Sequence, residues 1–194
     1  MPLHIAVIYG STRSERQGIK AARFIVNELK KRKHEVKLVD PLEYKLPLLN
    51  KMHKEYDKGK APTNLEKLHN IFEKADAYVI VSAEYNHTIP PALSNLIDHF
   101  MSEYFFKPSG IVSYSAGTFG GVRAAMTLRS LLAEVGMSSI PSTFSIPKVQ
   151  DSFNEKGNDL TEKKDYERRI KKFLDELEWY ANALKVARKK GKPY

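Results

Sequence analysis

The chain has 194 residues, of which 42% are hydrophobic and 28% are charged, and this composition is typical of a globular protein with its own core. The absence of cysteine excludes disulfides, thiolate metal sites and a cysteine nucleophile. No apolar stretch reaches about 18 residues and the start lacks a secretory pattern, so we expect one domain over 1–194, in the cytoplasm and without a membrane segment.

The formal net charge of +9 suits an anionic ligand or partner. Part of this excess lies near the C-terminus, where five basic residues are crowded together: Lys185, Arg188, Lys189, Lys190 and Lys192. No zinc-finger spacing or RNA-binding motif accompanies the charge. The pattern therefore favours a solvent-exposed basic tail over the binding of nucleic acid or an acidic surface.

Short apolar runs alternate with amphipathic segments along the whole chain. They predict strands over 4–9, 35–40, 77–81, 111–114 and 138–146, and helices that begin near 19, 63, 90, 121 and 160. Thr63 and Glu66 predict a capping box at the second helix. The helix from Pro90 extends to about Glu103, and the last helix covers about 160–188.

This order of strands and helices predicts an α/β fold. A flavodoxin-like, doubly wound sheet of five parallel strands in the order 2-1-3-4-5, with helices on both faces, satisfies the right-handed crossover rule. Ligands bind to such sheets beyond the carboxyl ends of the strands, where the strand order reverses. The loops after strands 1, 3 and 4 are therefore the candidate site.

The loop after the first strand has the composition of a phosphate site. Gly10 allows a tight exit from the strand, Ser11 and Thr12 supply hydroxyl groups, and Arg13 supplies a planar charged group. The free backbone amides of the following helix add donors for an anion. A loop that only caps its helix is the alternative.

The other two loops have features that suit a planar ligand. Residues 83–90 place Tyr85 among short polar groups, where the ring could stack on a ligand or pack against the protein. Residues 115–121 contain three glycines, which permit either close approach of a ligand to the backbone or a mobile turn.

The three loops together make the chain similar to the NADPH-dependent FMN reductase family, a flavodoxin-like group that includes azo-, quinone- and chromate-reducing enzymes. The resemblance covers about 5–150 and rests on GSTRSERQG (10–18), EYNHTIPPALSNLIDHF (84–100) and SAGTFGGVRAA (115–125). Ala83 stands where the family usually has proline, and His87 and Thr88 stand where many relatives have glycine and serine.

The resemblance implies an oxidoreductase with FMN as cofactor and NADPH or NADH as co-substrate. A hydride passes to FMN, and two electrons then pass to a quinone, an azo compound, a flavin or a similar acceptor. The resemblance also implies a homodimer or homotetramer. Leu96, Ile97 and Phe100 of the helix after Pro90 would pack either against a partner or on the sheet of their own chain.

The resemblance also implies the binding residues. The first loop would hold the FMN phosphate, the second would flank the isoalloxazine, and the third would follow its pyrimidine edge. The implied residues are, in that order, Ser11, Arg13, Arg16, Gln17 and Gly18; Glu84, Tyr85, Asn86 and His87; and Ser115, Ala116, Gly117 and Gly120. No catalytic side chain is implied, because the chemistry resides on the flavin.

Features of the sequence also bear on three other functions. A flavodoxin-like electron carrier or redox-sensing protein without NAD(P)H turnover would share the FMN site, but carriers are expected to be acidic, whereas this chain carries +9. Another hypothesis is a domain that binds no flavin and docks an acidic partner through its tail. An α/β hydrolase with Ser115 as nucleophile fails, because that fold requires its histidine after the nucleophile and the last histidine, His99, precedes it.

The remaining candidate residues point to structural roles. The six histidines show no spacing of a metal motif, so the sequence predicts no metal site. Trp179 is expected to pack within the last helix. The apolar stripe of that helix favours packing on its own core over contact with a second subunit.

Overall fold

The computed structural model describes residues 2–194, within which it has five strands and six α-helices. Among these residues no helix is both long enough and apolar enough to cross a membrane. The strands are β1 (His4–Tyr9), β2 (Glu35–Val39), β3 (Ala77–Ala83), β4 (Lys107–Tyr114) and β5 (Met137–Ile146). The helices are α1 (Gly18–Lys31), α2 (Thr63–Lys74), α3 (Pro91–Asp98), α4 (Val122–Glu134), α5 (Val149–Ser152) and α6 (Asp165–Lys190).

The five strands form one parallel sheet in the order β2-β1-β3-β4-β5. Strands β3 and β4 are buried along their whole length, as expected for parallel strands that are covered by helices on both faces. The predicted flavodoxin-like fold and strand order are therefore confirmed.

Helices cover both faces of the sheet and produce two cores. Helices α1 and α6 pack on one face, and α2, α3 and α4 pack on the other. The apolar stripe of α6 lies in the first core, so this helix packs on its own chain. Leu96, Ile97 and Phe100 are buried in the second core, and they are therefore not available to a partner subunit.

Several local predictions were wrong. Strand β4 begins at Lys107 rather than at Ile111. Helix α3 ends at Asp98 rather than near Glu103, because a 3-10 turn over Ser102–Tyr104 follows and the Glu103 carboxylate accepts the Met101 amide at 3.1 Å. Thr63 is the first residue of α2 and caps nothing, although Glu66 does accept the Ala61 amide at 3.3 Å. The side chain of Trp179 is exposed.

A buried carboxylate binds the C-terminal helix α6 to the edge of the sheet at which β1 and β3 begin. Asp76 precedes β3, is 6% exposed, and accepts the backbone amide of His4 at 3.0 Å. Its oxygens also pair with Lys185 at 2.7 Å and with Arg188 at 3.5 Å. Arg188 in addition donates to the carbonyl of Phe106. Two of the five residues assigned to a solvent-exposed tail therefore have a structural role.

We expect the substitution Asp76→Ala to lower the free energy of unfolding by about 3 kcal/mol, because it leaves two partly buried cations and an amide without their acceptor. Urea denaturation measures the change. Asp57→Ala is the matched control, since Asp57 is exposed, and it should change stability by less than about 0.5 kcal/mol. Equal effects of the two substitutions would contradict a fastening role for Asp76.

Candidate functional site

Three loops meet at the carboxyl edge of the sheet, near the point between β1 and β3 where the strand order reverses. The amide of Gly10 donates to the carbonyl of Val81 at 3.1 Å, which extends the β1–β3 pairing to the edge. The phosphate-type loop 10–17 follows β1, the aromatic loop 84–90 follows β3, and the glycine loop 115–121 follows β4. This is the location that a doubly wound sheet predicts for a ligand.

The phosphate-type loop is held in place by Arg16. Its guanidinium makes two hydrogen bonds of 2.5 Å to the carboxylate of Asp40, at the end of β2, and a third to the carbonyl of Ser11 at 3.0 Å. Burial opposes the charge of Arg16, but the carboxylate outweighs it and raises the pKa of the guanidinium. Arg16 therefore positions the loop, and its partner Asp40 is a functional residue that the sequence did not predict.

Below this loop, the beginning of α1 lies against two stacked tyrosines. The rings of Tyr9 and Tyr114 are 6.2 Å apart, and the hydroxyl of Tyr114 donates to that of Tyr9 at 3.2 Å. Burial raises the pKa of both phenols. A Cβ atom on Gly18 would lie 2.0 Å from the Tyr114 ring, so Gly18 is needed for packing.

The aromatic loop 84–90 contains a tight turn with its tip in solvent. Tyr85 and Thr88 exchange two backbone hydrogen bonds of 2.9 Å, and Asn86 and His87 between them have φ values of 50° and 63°. Positive φ at both central residues is the type I′ geometry. Asn86 and His87 are exposed, and within residues 2–194 their backbone amides have no acceptor.

The glycine loop 115–121 is organised by the Ser115 hydroxyl. This group donates to the carbonyl of Gly117 and accepts the amide of Gly120, both at 3.0 Å. Gly120 has a φ of 63° and lies close to the backbone of β5, so a side chain there would be strained. Ala116 and Gly117 are exposed, and a Cβ on Gly117 would meet nothing within 4 Å.

Two contacts join the second loop to the first loop and to α4, the helix that follows the third loop. The hydroxyls of Ser11 and Tyr85 lie 3.0 Å apart and link the first loop to the second. The carboxylate of Glu84 accepts the amides of Arg123 and Ala124, at 3.0 and 3.3 Å. A residue after β3 thereby caps the N-terminus of α4, where a negative charge is stabilising, and this role could not be read from local sequence.

The predicted residues therefore separate into two groups. Those already engaged with the protein hold the loops: Ser11, Arg16, Gln17, Gly18, Glu84, Tyr85, Ser115 and Gly120. The others are exposed to solvent at the same edge: Arg13, Asn86, His87, Ala116 and Gly117. The carbonyls of Ala116 and Gly117 accept hydrogen bonds from Gln150 and Ser115. Within residues 2–194 the guanidinium of Arg13 has no hydrogen-bond partner and lies 6.0 Å from the Tyr85 ring. The site is an open surface with unengaged donors.

Known proteins resemble this chain in sequence and in fold. The family model for NADPH-dependent FMN reductases matches residues 3–151. A quinone reductase of Pseudomonas putida is 30% identical over 138 residues, which is 69% of this chain and 71% of the relative. An NADPH azoreductase of a Bacillus species is 26% identical over 158 residues, which is 81% of this chain and 84% of the relative.

Solved structures agree on the fold. FerB, a flavoenzyme NAD(P)H:(acceptor) oxidoreductase from Paracoccus denitrificans, has a TM-score of 0.72 at 22% identity and is aligned over 92% of this chain and 98% of its own. A flavodoxin from Pseudomonas aeruginosa has a TM-score of 0.53 at 17% identity, over 93% of this chain and 98% of its own. The chain belongs to the NADPH-dependent FMN reductase family, the oxidoreductases that use FMN with NAD(P)H as electron donor.

Proposed function

We propose that this protein catalyses the reduction of a quinone, an azo compound, free flavin or a similar small acceptor by NAD(P)H, with FMN bound at the carboxyl edge of the sheet. The observation that carries the proposal is the junction of three interlinked loops whose outward-facing donors are unengaged. FMN, when bound, supplies hydride acceptance from the nicotinamide and two-electron donation to the acceptor.

The first loop fits a phosphate group. Arg13 is the exposed cation of this loop. Its backbone amide donates to the Ser11 hydroxyl at 3.4 Å, but within residues 2–194 its guanidinium makes no hydrogen bond, which leaves this planar group free for phosphate oxygens. Helix α1 begins at Gly18, and the free amides of its first turn add partial positive charge. The ion pair between Arg16 and Asp40 holds the loop while Arg13 provides the contact.

The second and third loops fit the ring system. The amides of Asn86 and His87 offer donors at the tip of a rigid turn, and the open space at Gly117 admits a ligand close to the backbone. Donors along the pyrimidine edge stabilise the negative charge that develops there on reduction. The work of this chain is therefore to bind, to orient and to supply electrostatic stabilisation.

The nicotinamide donor and the acceptor would approach the solvent-exposed surface of the site, at the carboxyl edge of the sheet. Arg123 lies beside the glycine loop, 45% exposed and 5.0 Å from the Phe119 ring, and is the candidate contact for a nucleotide phosphate. The electron-carrier alternative has the same cofactor site, but the relatives in sequence are reductases rather than carriers.

We also propose that the protein forms a homodimer or homotetramer in the cytoplasm and that residues 1–194 make one domain. An exposed apolar patch adjoins the open site and supports the assembly: Phe119 is 65% exposed, Val122 41% and Met126 54%. Burial of such a patch is a common feature of subunit interfaces.

An anaerobic absorbance experiment tests the proposed function. We expect added FMN to bind and its visible band to bleach when NADPH or NADH is mixed in, followed by recovery of the band on addition of a quinone. Binding without bleaching by either nucleotide would support the carrier alternative. A protein that binds no FMN would contradict both.

Substitution of Arg13 tests the phosphate contact. We expect Arg13→Ala to raise the Kd for FMN by at least about tenfold, because a charge-assisted hydrogen bond contributes about 1.5–3 kcal/mol. Fluorescence titration of FMN measures it. Arg168→Ala is the control, since Arg168 is an exposed arginine that pairs only with Asp165. An unchanged Kd in Arg13→Ala would refute the assignment.

Substitution of Glu84 tests the link between the second and third loops. We expect Glu84→Ala to lower the free energy of unfolding by about 1–2 kcal/mol, because α4 loses its cap, and to weaken FMN binding. Glu134→Ala removes an exposed carboxylate from the other end of the same helix and should be neutral or slightly stabilising. Thermal unfolding with and without FMN measures both. Equal stability of the two variants would contradict a capping role of Glu84 at α4.

A further inference from the structure

We propose that His53, His69 and Glu103 form a binding site for a divalent transition-metal ion, and that zinc is the ion best suited to it. One donor atom from each side chain lies within 4.8 Å of the others. The residues come from the loop between β2 and α2, from α2, and from the connection between α3 and β4. None of them belongs to the proposed flavin site, so the inference stands apart from the proposed function.

Glu103 is the centre of this cluster. Its side chain is 3% exposed, and its Oε1 lies 2.7 Å from Nδ1 of His69 and 3.5 Å from Nδ1 of His53. The other oxygen accepts the amide of Met101 at 3.1 Å. One carboxylate oxygen is therefore held between two imidazole nitrogens.

The surroundings of His53 also match a metal ligand. Its Nε2 lies 3.5 Å from the carboxylate of Glu66. Histidines that bind metals commonly donate their second ring N–H to a carboxylate, which fixes the tautomer and leaves the other nitrogen free as a ligand. In His53 that other nitrogen is Nδ1, the atom that faces Glu103.

The donor set selects the class of ion. Two imidazoles and one carboxylate suit zinc, which is often held by three protein ligands with water in the fourth position. Magnesium and calcium prefer sets of oxygen ligands. The side chains of His53 and His69 are 15% and 30% exposed, so one side of the cluster is open to an entering ion and to water.

The stacked imidazoles must rearrange when an ion binds. The imidazoles of His53 and His69 are stacked, with centroids 3.9 Å apart and planes inclined by 12°. A nitrogen lone pair lies in its ring plane, so two nearly parallel rings cannot both aim at one ion. Zinc binding must therefore turn one imidazole out of the stack, and His69 is the more exposed of the two.

Such a site would connect separate parts of the chain. The loop that carries His53 is held to α3 by the hydrogen bonds from the Leu49 amide to Asn95, at 2.8 Å, and from the His53 amide to His99, at 2.9 Å. An ion bound to all three ligands would fasten this loop to α2 and to the segment after α3. Zinc is therefore expected to stabilise the fold.

Calorimetric titration of zinc into the chelator-treated, FMN-loaded protein tests the site. We expect one ion per chain in the wild type, and an affinity at least about tenfold lower in His69→Ala and Glu103→Gln. The matched control is His4→Ala, because His4 also pairs with a carboxylate, that of Glu35 at 3.2 Å, outside the cluster. The variant His4→Ala should bind zinc like the wild type. Magnesium should bind neither to this variant nor to the wild type.

Two measurements on the wild type keep the test decisive where a variant folds poorly. Zinc at about 100 times its Kd should raise Tm by about 5–10 °C, and histidine ring NMR signals of His53 and His69 should shift as their stack opens. Zinc binding that leaves these signals unchanged, or that is equally tight in His69→Ala, would overturn the proposal. Failure to bind zinc at all would also overturn it, whatever the outcome with FMN.

Discussion

The position of β1 between β2 and β3 is the constraint on which the rest of the structure depends. Because the chain moves outward in opposite directions from this strand, the loops after β1 and β3 diverge to the two faces of the sheet and leave a gap between them. Every residue proposed to contact FMN lies at this gap or beside it. A change in strand order would disperse these residues even if every helix and strand were retained.

The gap between the loops is not sufficient for a binding site, because the loops beside it must also be held in fixed positions. Asp40 at the end of β2 holds Arg16, the Ser11 hydroxyl meets that of Tyr85, and Glu84 caps α4. Each of these contacts joins two segments that follow different strands. The residues that hold the loops are thus distinct from the exposed groups, such as Arg13, that remain available to a ligand.

The sequence predicted the strands well for a physical reason. Parallel strands that are covered on both faces are usually continuous apolar runs, and β3 is of this kind. The first half of β4 is polar, from Lys107 to Gly110, and the sequence prediction missed it for that reason. The location of the site followed from the fold rule, and its residues from the resemblance. The bond between Asp40 and Arg16 was missed because it joins residues 24 positions apart. Its only signal was an acidic residue at the end of a strand beside the site.

The same limit explains the interpretation of the histidines and of the basic tail. A metal motif on one helix has a fixed spacing, whereas His53, His69 and Glu103 meet only after three segments have packed together. Likewise, Lys185 and Arg188 belong to a run of basic residues that looks solvent-exposed in the sequence, but in the fold both pair with Asp76. In both cases a buried carboxylate gathers basic groups from distant parts of the chain, since burial of such a charge is costly without partners. The partners of such a carboxylate are fixed by packing and not by local sequence, so neither contact could be predicted before the fold was known.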